Sequence, residues 1–229
     1  MKQPQTSKLA FIVKNNKIFE KVFTFDFYGG FAISQKQKTI DAFHSEIAKY
    51  GDFKVLEISS KSRNPIGNAL SAFNLLLDIK GNKYPVECIY QSSKVFNDNI
   101  QYKNLLYATP PVAKKTIQDN VFTMELELIS FNCFGKVFPL NPVTFFYDYI
   151  YVAALYQNPS IASEVINYDC FTDVEFNYKK QVASQARSCA IYIYLKNNNL
   201  LEEAISDIEK FKEIYGLVII PYNKILELN

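Results

Sequence analysis

Glu87, Gln91 and Lys94 are spaced i, i+4 and i+7 in the segment VECIYQSSK. On a helix that spacing sets an acid, an amide and a base on one face. Such a stripe can hold a polar ligand and move a proton. A second pair, Asp173 and Glu175 in FTDVEFN, stands at i and i+2. On an extended chain both carboxylates point to one side. Two carboxylates buried close together raise the proton affinity of one of them, which is how a general acid or base near neutrality is obtained. A third cluster, EISSKS, crowds Glu57, Ser59, Ser60 and Lys61 against the loop SRNPIGN. Hydroxyls and a lysine beside a loop suit phosphate oxygens, although the Gly-rich phosphate-binding pattern G-x-x-x-x-G-K-[ST] is absent. A fourth, SQKQK, follows Gly29 and Gly30 and carries Lys36. A lysine whose proton affinity is lowered by burial can attack a sugar C1 aldehyde as a Schiff-base nucleophile. Each cluster also has a plainer reading: a solvated helix face, an exposed strand face, a polar turn, a charged helix start.

Composition narrows the classes. The chain has 229 residues, 48% hydrophobic and 21% charged, enough to bury one sizeable core. The net charge is only +2, so a nucleic-acid partner must be met by a local patch rather than by the field of the whole molecule. Cys88, Cys133, Cys170 and Cys189 form no C-x-x-C pair, and His44 is the single histidine. That inventory argues against a zinc site and against a Ser–His or Cys–His nucleophile. Buried free thiols and a structural His44 are expected instead. The N-terminal MKQPQTSKLAFIVKNN lacks a signal-peptide pattern, and no run of about 18 apolar residues occurs. A cytoplasmic protein without a membrane span is the expectation.

The elements that must position these residues are legible in part. Leu9 to Asp26 reads as two strands around Lys14-Asn15-Asn16-Lys17. SQKQKTIDAFHSEIAKY reads as a helix with Ile40, Phe43 and Ile47 as its apolar stripe, although Lys36 and Lys38 lie at the unfavourable end of its dipole. KVLEISSK has strand character, and ALSAFNLLLDI fits either strand or helix. Lys80-Gly81-Asn82-Lys83 is a turn, Pro85 suits the first turn of the next helix, and that helix should end at Asp98 to Gln101. Tyr102–Tyr107 and Val112–Gln118 are helical candidates, and VFTMELELISFNCFGKVFPL reads as two strands around Asn132 to Lys136. Pro142 to Asn158 is the most distinct long helix, followed by a shorter one over Ser160 to Asn167. CFTDVEFNYKK is strand or loop, and ASQARSCAIYIYLKNNN is helix or buried strand. LLEEAISDIEKFKEIYG reads as one amphipathic helix closed by Gly216, and LVIIPYN as a final edge strand. With no repeat or linker, the expected architecture is a single α+β domain over residues 1–229, mainly helical with small β-sheet elements.

Three of these segments, taken in order, resemble the NADAR family. Its members carry an S-N-F segment, a turn, a helix with the pattern (T/V)-E-H-x-x-Q-x-x-K, and then an A-K motif. Here SAFN, VECIYQSSK and VAKK stand in those places, with Ala72 for the Asn and Cys88 for the His. FAISQKQK, LEISSKS, FFYDYIYVAAL, YDCFTDVEFN and SQARS are similar to the branch of NADAR antitoxins paired with DarT-type toxins. The resemblance covers roughly residues 20–195 and leaves the last helix and strand unmatched.

The resemblance implies an ADP-ribosyl glycohydrolase, with no cofactor, that removes ADP-ribose from guanine bases of DNA. Its functional partner would be a DarT-type DNA ADP-ribosyltransferase, which it would serve as antitoxin. The bond cleaved is N-glycosidic, through an oxocarbenium-like transition state that nearby carboxylates stabilise. Carried over by position, Glu87 is the first catalytic candidate, with Asp173 assisting at the ribose and Lys36 as a covalent lysine. Gln91 and Lys94 would meet ribose or phosphate, and Ser60, Lys61, Ser71 and Asn74 diphosphate or adenosine. The chain has no Trp, so Phe73, Tyr90 or Phe176 would supply the stacking surface. Two rivals stand beside this reading. One is a non-catalytic module that recognises the adduct or neutralises the toxin by contact. The other is an N-glycosidase acting on a riboflavin-pathway intermediate.

Overall fold

A computed structural model describes residues 3–179 and 181–218. The chain opens with β1 (Gln5–Lys14) and β2 (Lys17–Asp26), an antiparallel hairpin in register Lys14↔Lys17. Asn15 and Asn16 both have positive φ, the conformation that a two-residue type I′ turn demands and that Asn tolerates. Next come α1 (Ile33–Tyr50) and β3 (Val55–Glu57). β9 (Cys170–Thr172), much later in the chain, fits between β1 and β3, giving the sheet order β2-β1-β9-β3. β9 runs antiparallel to β1 and parallel to β3, with Glu57 opposite Thr172. This register is what brings Glu57 beside Asp173.

The apolar run Leu9–Val13 is buried on both sides because the sheet is covered on both faces. Ala10, Ile12, Phe23 and Phe25 meet Phe43 and Ile47 of α1 on one side, where Phe25 and Phe43 stack with ring centroids 4.6 Å apart. Leu9, Phe11 and Val13 face the main core, which holds α5 (Phe145–Tyr156) and α7 (Gln185–Asn197). Between the two halves of the sheet the chain forms α2 (Pro65–Ala69), the hairpin β4 (Leu76–Ile79) and β5 (Asn82–Pro85), and α3 (Val86–Ser93). β6 (Lys94–Phe96), α4 (Pro110–Thr123), β7 (Leu128–Cys133) and β8 (Lys136–Phe138) follow, the three strands pairing in the order β6-β7-β8. α6 (Pro159–Val165), α8 (Leu201–Ser206) and α9 (Ile208–Val218) complete the described chain.

Several sequence expectations are corrected here. The helix after Pro85 stops at Ser93, because Lys94 turns extended and pairs with Phe131 of β7. Val121 to Thr123 close α4 rather than open a strand, and Glu125, with positive φ, turns the chain before β7 begins. The last helix is two: Asp207 is extended and its carboxylate accepts the Glu209 N–H at 2.7 Å, capping α9. Gly216 lies within α9, and of the expected final strand Leu217 and Val218 continue α9 while the rest falls outside the described residues. The ambiguous segment ASQARSCAIYIYLKN is a helix buried on every side from Ala186 to Leu195. No helix among the described residues is long and apolar enough to cross a membrane.

Gly67 in α2 sets how closely that helix approaches β3. A Cβ there would stand 2.0 Å from the Glu57 carbonyl oxygen and 2.5 Å from Ser62 Oγ. Backbone cannot give way as a flexible side chain can, so Gly67→Ala is expected to destabilise the protein by about 3 kcal/mol. Thermal denaturation checks this, and an unchanged melting temperature would mean that α2 shifts freely from β3.

Candidate functional site

The cleft forms where the separated motifs meet. The Glu87 N–H donates to the Ala72 carbonyl at 2.9 Å, and the Val86 N–H to Leu75 at 3.0 Å, which seats the start of α3 on SAFN. Gln185, at the start of α7, accepts the Ala72 N–H at 2.8 Å and donates its own amide to the Ile58 carbonyl at 2.7 Å. One side chain thus stitches SAFN to the end of β3. These contacts enclose a cavity of about 490 Å³.

On one wall α3 presents Glu87, Tyr90 and Gln91, all buried, and Lys94 follows at the start of β6. The expected single helix face is therefore a helix end continued into a strand, and Lys94 still reaches the cavity. Gln91 donates to Glu87 Oε1 at 2.8 Å, while Gln91 Oε1 is buried with no protein partner. An unsatisfied buried acceptor in a cleft is suited to a ligand hydroxyl. Lys94 Nζ lies 4.6 Å from the centre of the Tyr90 ring. Burial pushes the Lys94 ammonium down to about 8, against the pull of Glu87 and with a further push from Lys114.

The opposite wall comes from the turn after β9. Asp173, Glu175 and Phe176 line the cavity from that turn, not from a strand. Asp173 Oδ1 accepts the N–H groups of Glu175 at 3.0 Å and Phe176 at 3.2 Å. Burial, and then the charge of Glu57, push the Asp173 carboxyl up to about 7. The acid that crowds Asp173 is thus Glu57, where the i, i+2 spacing had suggested Glu175. Glu57 itself is fully buried behind the wall, and burial raises its proton affinity too.

Ser59, Ser60 and Lys61 line the cavity from the end of β3, and Ser71 and Phe73 from SAFN. Two residues of the expected set do not line it. Lys36 pairs with Glu175 at 3.3 Å, which accounts for a cation at the wrong end of α1. Asn74 turns away to bond both oxygens of Asn68 at 2.9 Å. Lining residues that sequence reasoning passed over include Lys114 and Gln118 of α4, Tyr147 of α5, and Gln185. Lys114 was within reach, since it stands in VAKK, and its Nζ lies 5.8 Å from the Phe73 ring centre. Tyr147 sits in the aromatic run FFYDYIY, where nothing marks one ring from the next.

The cleft can therefore hold an anionic ligand between Lys61, Lys94 and Lys114, with one buried carboxylate at Glu87 and one carboxyl that holds a proton near neutrality at Asp173. Among the described residues, no three His, Cys, Asp or Glu side chains gather as metal ligands do, and all four cysteines are free. The model of a family described as DarT1-associated NADAR antitoxin matches residues 6–220. No curated protein matches the chain.

Proposed function

The chain belongs to the DarT1-associated NADAR antitoxins, and we propose that it hydrolyses the N-glycosidic bond between ADP-ribose and guanine in DNA. The observation that carries this reading is the pairing of Glu87 and Asp173 across one cleft. Asp173 delivers its proton to the departing guanine nitrogen. Glu87 faces the anomeric carbon, stabilises the positive charge that develops there and takes the proton of the attacking water. The products are free ADP-ribose and unmodified guanine, with one water consumed. Ser60, Lys61 and Ser71 serve the diphosphate, Gln91 Oε1 accepts a ribose hydroxyl, and Phe73 offers a stacking face. The test is incubation with two oligonucleotides, one ADP-ribosylated on guanine and one on thymine. Release from the guanine adduct alone supports the reading; release from the thymine adduct alone overturns its substrate.

One observation favours a covalent route through the same cleft. Lys94 has the burial and lowered proton affinity that a Schiff-base amine requires, whereas Lys36 is held in an ion pair at the edge. The neutral amine would displace guanine at C1, the ribose would open at the C1–O4′ bond to give a protonated Schiff base, and water adding to that imine would release ADP-ribose and regenerate Lys94. Borohydride added during turnover is expected to leave an ADP-ribose adduct on Lys94 and none on Lys36, read by peptide mass spectrometry. Full turnover with no adduct on any lysine would assign the attack at C1 to water alone, and an adduct on Lys36 would move the covalent role to that residue.

A further inference from the structure

Glu57 does not line the cavity, yet its carboxylate is bonded to both chain neighbours of Asp173. Glu57 Oε2 accepts the Thr172 hydroxyl at 2.6 Å, and Oε1 accepts the Val174 N–H at 2.8 Å. The nearby Ser59 hydroxyl also favours its ionised form. Every one of these partners donates. Two donors converging on one buried carboxylate favour its ionised form. The chain of donors continues outward. Thr172 has one hydrogen, which goes to Glu57, so the contact of 2.9 Å between His44 Nε2 and Thr172 Oγ1 has His44 as donor. Burial pushes His44 down to about 4, so it stays neutral and keeps that hydrogen in place. Asp173, by contrast, spends only Oδ1 on the two backbone N–H groups of its turn and lines the cavity.

We propose that Glu57 is a positioning residue that stays ionised behind the wall and thereby keeps the catalytic proton on Asp173. The proposal rests on the glycohydrolase reading for what that proton does, but not for where it resides. Other charges face Asp173 as well. Lys8 of β1 donates to the Phe176 carbonyl at 2.5 Å and, like Lys114 of α4, favours the ionised form of Asp173. Glu175 lies in the same turn, neutralised by Lys36 of α1. Tyr147 of α5 lines the cavity, and burial raises its proton affinity, so it is neutral at working pH. Glu57 is the group that opposes the two lysines. Two like charges so placed share protons as a pair, and the donors decide which member is charged.

Glu57→Gln removes the charge and keeps the shape. The amide oxygen still accepts from Val174, and the amide nitrogen donates to Thr172, which passes its hydrogen to His44. Carboxyl titration of Asp173 by isotope-edited infrared or carbon NMR, without substrate, is the first readout. The wild type should take up its proton near pH 7, and E57Q about one pH unit or more lower. The second readout is release of ADP-ribose from the guanine adduct across pH. E57Q should lose about tenfold in kcat near pH 8.5 and recover the wild-type rate by about pH 5.5, with KM unchanged. Thr172→Val, which keeps every charge but weakens the hold on ionised Glu57, moves the proton toward Glu57 and should shift Asp173 in the same direction. It carries the test if E57Q does not fold. Asp173 titrating as in wild type, in whichever variant is folded, would overturn the proposal. So would a loss of kcat that is equal at every pH. Failure of the glycohydrolase reading appears differently, as a shifted titration with no release of ADP-ribose at any pH.

Discussion

Glu87→Gln is expected to lower kcat on the guanine adduct by on the order of 1,000-fold while the melting temperature stays within a degree or two. The argument has two parts. The replacement is nearly isosteric, and the amide oxygen can still accept the Gln91 N–H that Glu87 Oε1 accepts at 2.8 Å. The backbone bond from residue 87 to Ala72, which seats α3, is untouched. The fold therefore has little reason to change. What disappears is a negative charge that is only 6% exposed and that lines the cavity. A charge on so buried a side chain, facing a developing oxocarbenium, acts more strongly than one at a surface. Affinity for the adduct should hold, since the residues proposed to meet the diphosphate and to stack are unchanged, so the loss is expected in kcat rather than KM. A merely recognising module predicts the opposite: E87Q would protect cells as well as the wild type does.

The largest effect on stability is expected at Arg187, away from the cleft. Arg187 Nη1 is bonded to the Asp148 carboxylate, with the Tyr215 hydroxyl at 3.0 Å and Thr144 Oγ1 at 3.3 Å, and its Nε lies 3.4 Å from Glu20 Oε1. Asp148 accepts two further hydroxyls at 2.6 Å, from Ser188 and Tyr215. The network joins β2, α5, α7 and α9; Asp148, Arg187 and Tyr215 are buried, and the Glu20 side chain is only 6% exposed. Burial raises the proton affinity of Glu20 and Arg187 holds it down. Arg187→Met fills much of the volume but leaves two buried carboxylates without a cation. The expected cost is about 3–5 kcal/mol, or roughly 10 °C in melting temperature. Glu20 relieves its share by taking a proton, so the deficit should shrink as pH falls. A melting temperature within two degrees of the wild type, at neutral pH, would show that the network carries little of the stability.

What the sequence revealed and what it hid follow from the kind of signal each element carries. The first hairpin was legible because Asn15 and Asn16 mark its turn and the flanking strands keep a clear apolar pattern. α1 was legible because Ile40, Phe43 and Ile47 fall on one apolar stripe, which the structure buries. α7 was not, since a helix buried all round has no period to read. The early end of α3 was hidden for another reason: it is set by pairing of Lys94 with Phe131, a partner far along the chain. The site divides in the same way. Motif positions led to Glu87, Gln91, Lys94 and Asp173, and the structure gathers all four around one cavity. Lys36 looks functional as a cation at a helix start, and in the structure it pairs with Glu175 and stands outside the cavity lining. Glu57 was read as part of a phosphate-binding turn. Its place beside Asp173 depends on the parallel pairing of β3 with β9, which local spacing does not encode.

The most direct test of turnover uses one oligonucleotide carrying a single ADP-ribosylated guanine, in large molar excess over the protein, with both products followed by mass spectrometry. The glycohydrolase account predicts many equivalents of free ADP-ribose per protein molecule, matched one for one by restored guanine. Tight binding of the adduct with no ADP-ribose released by the folded protein would contradict it and leave a recognition module in its place.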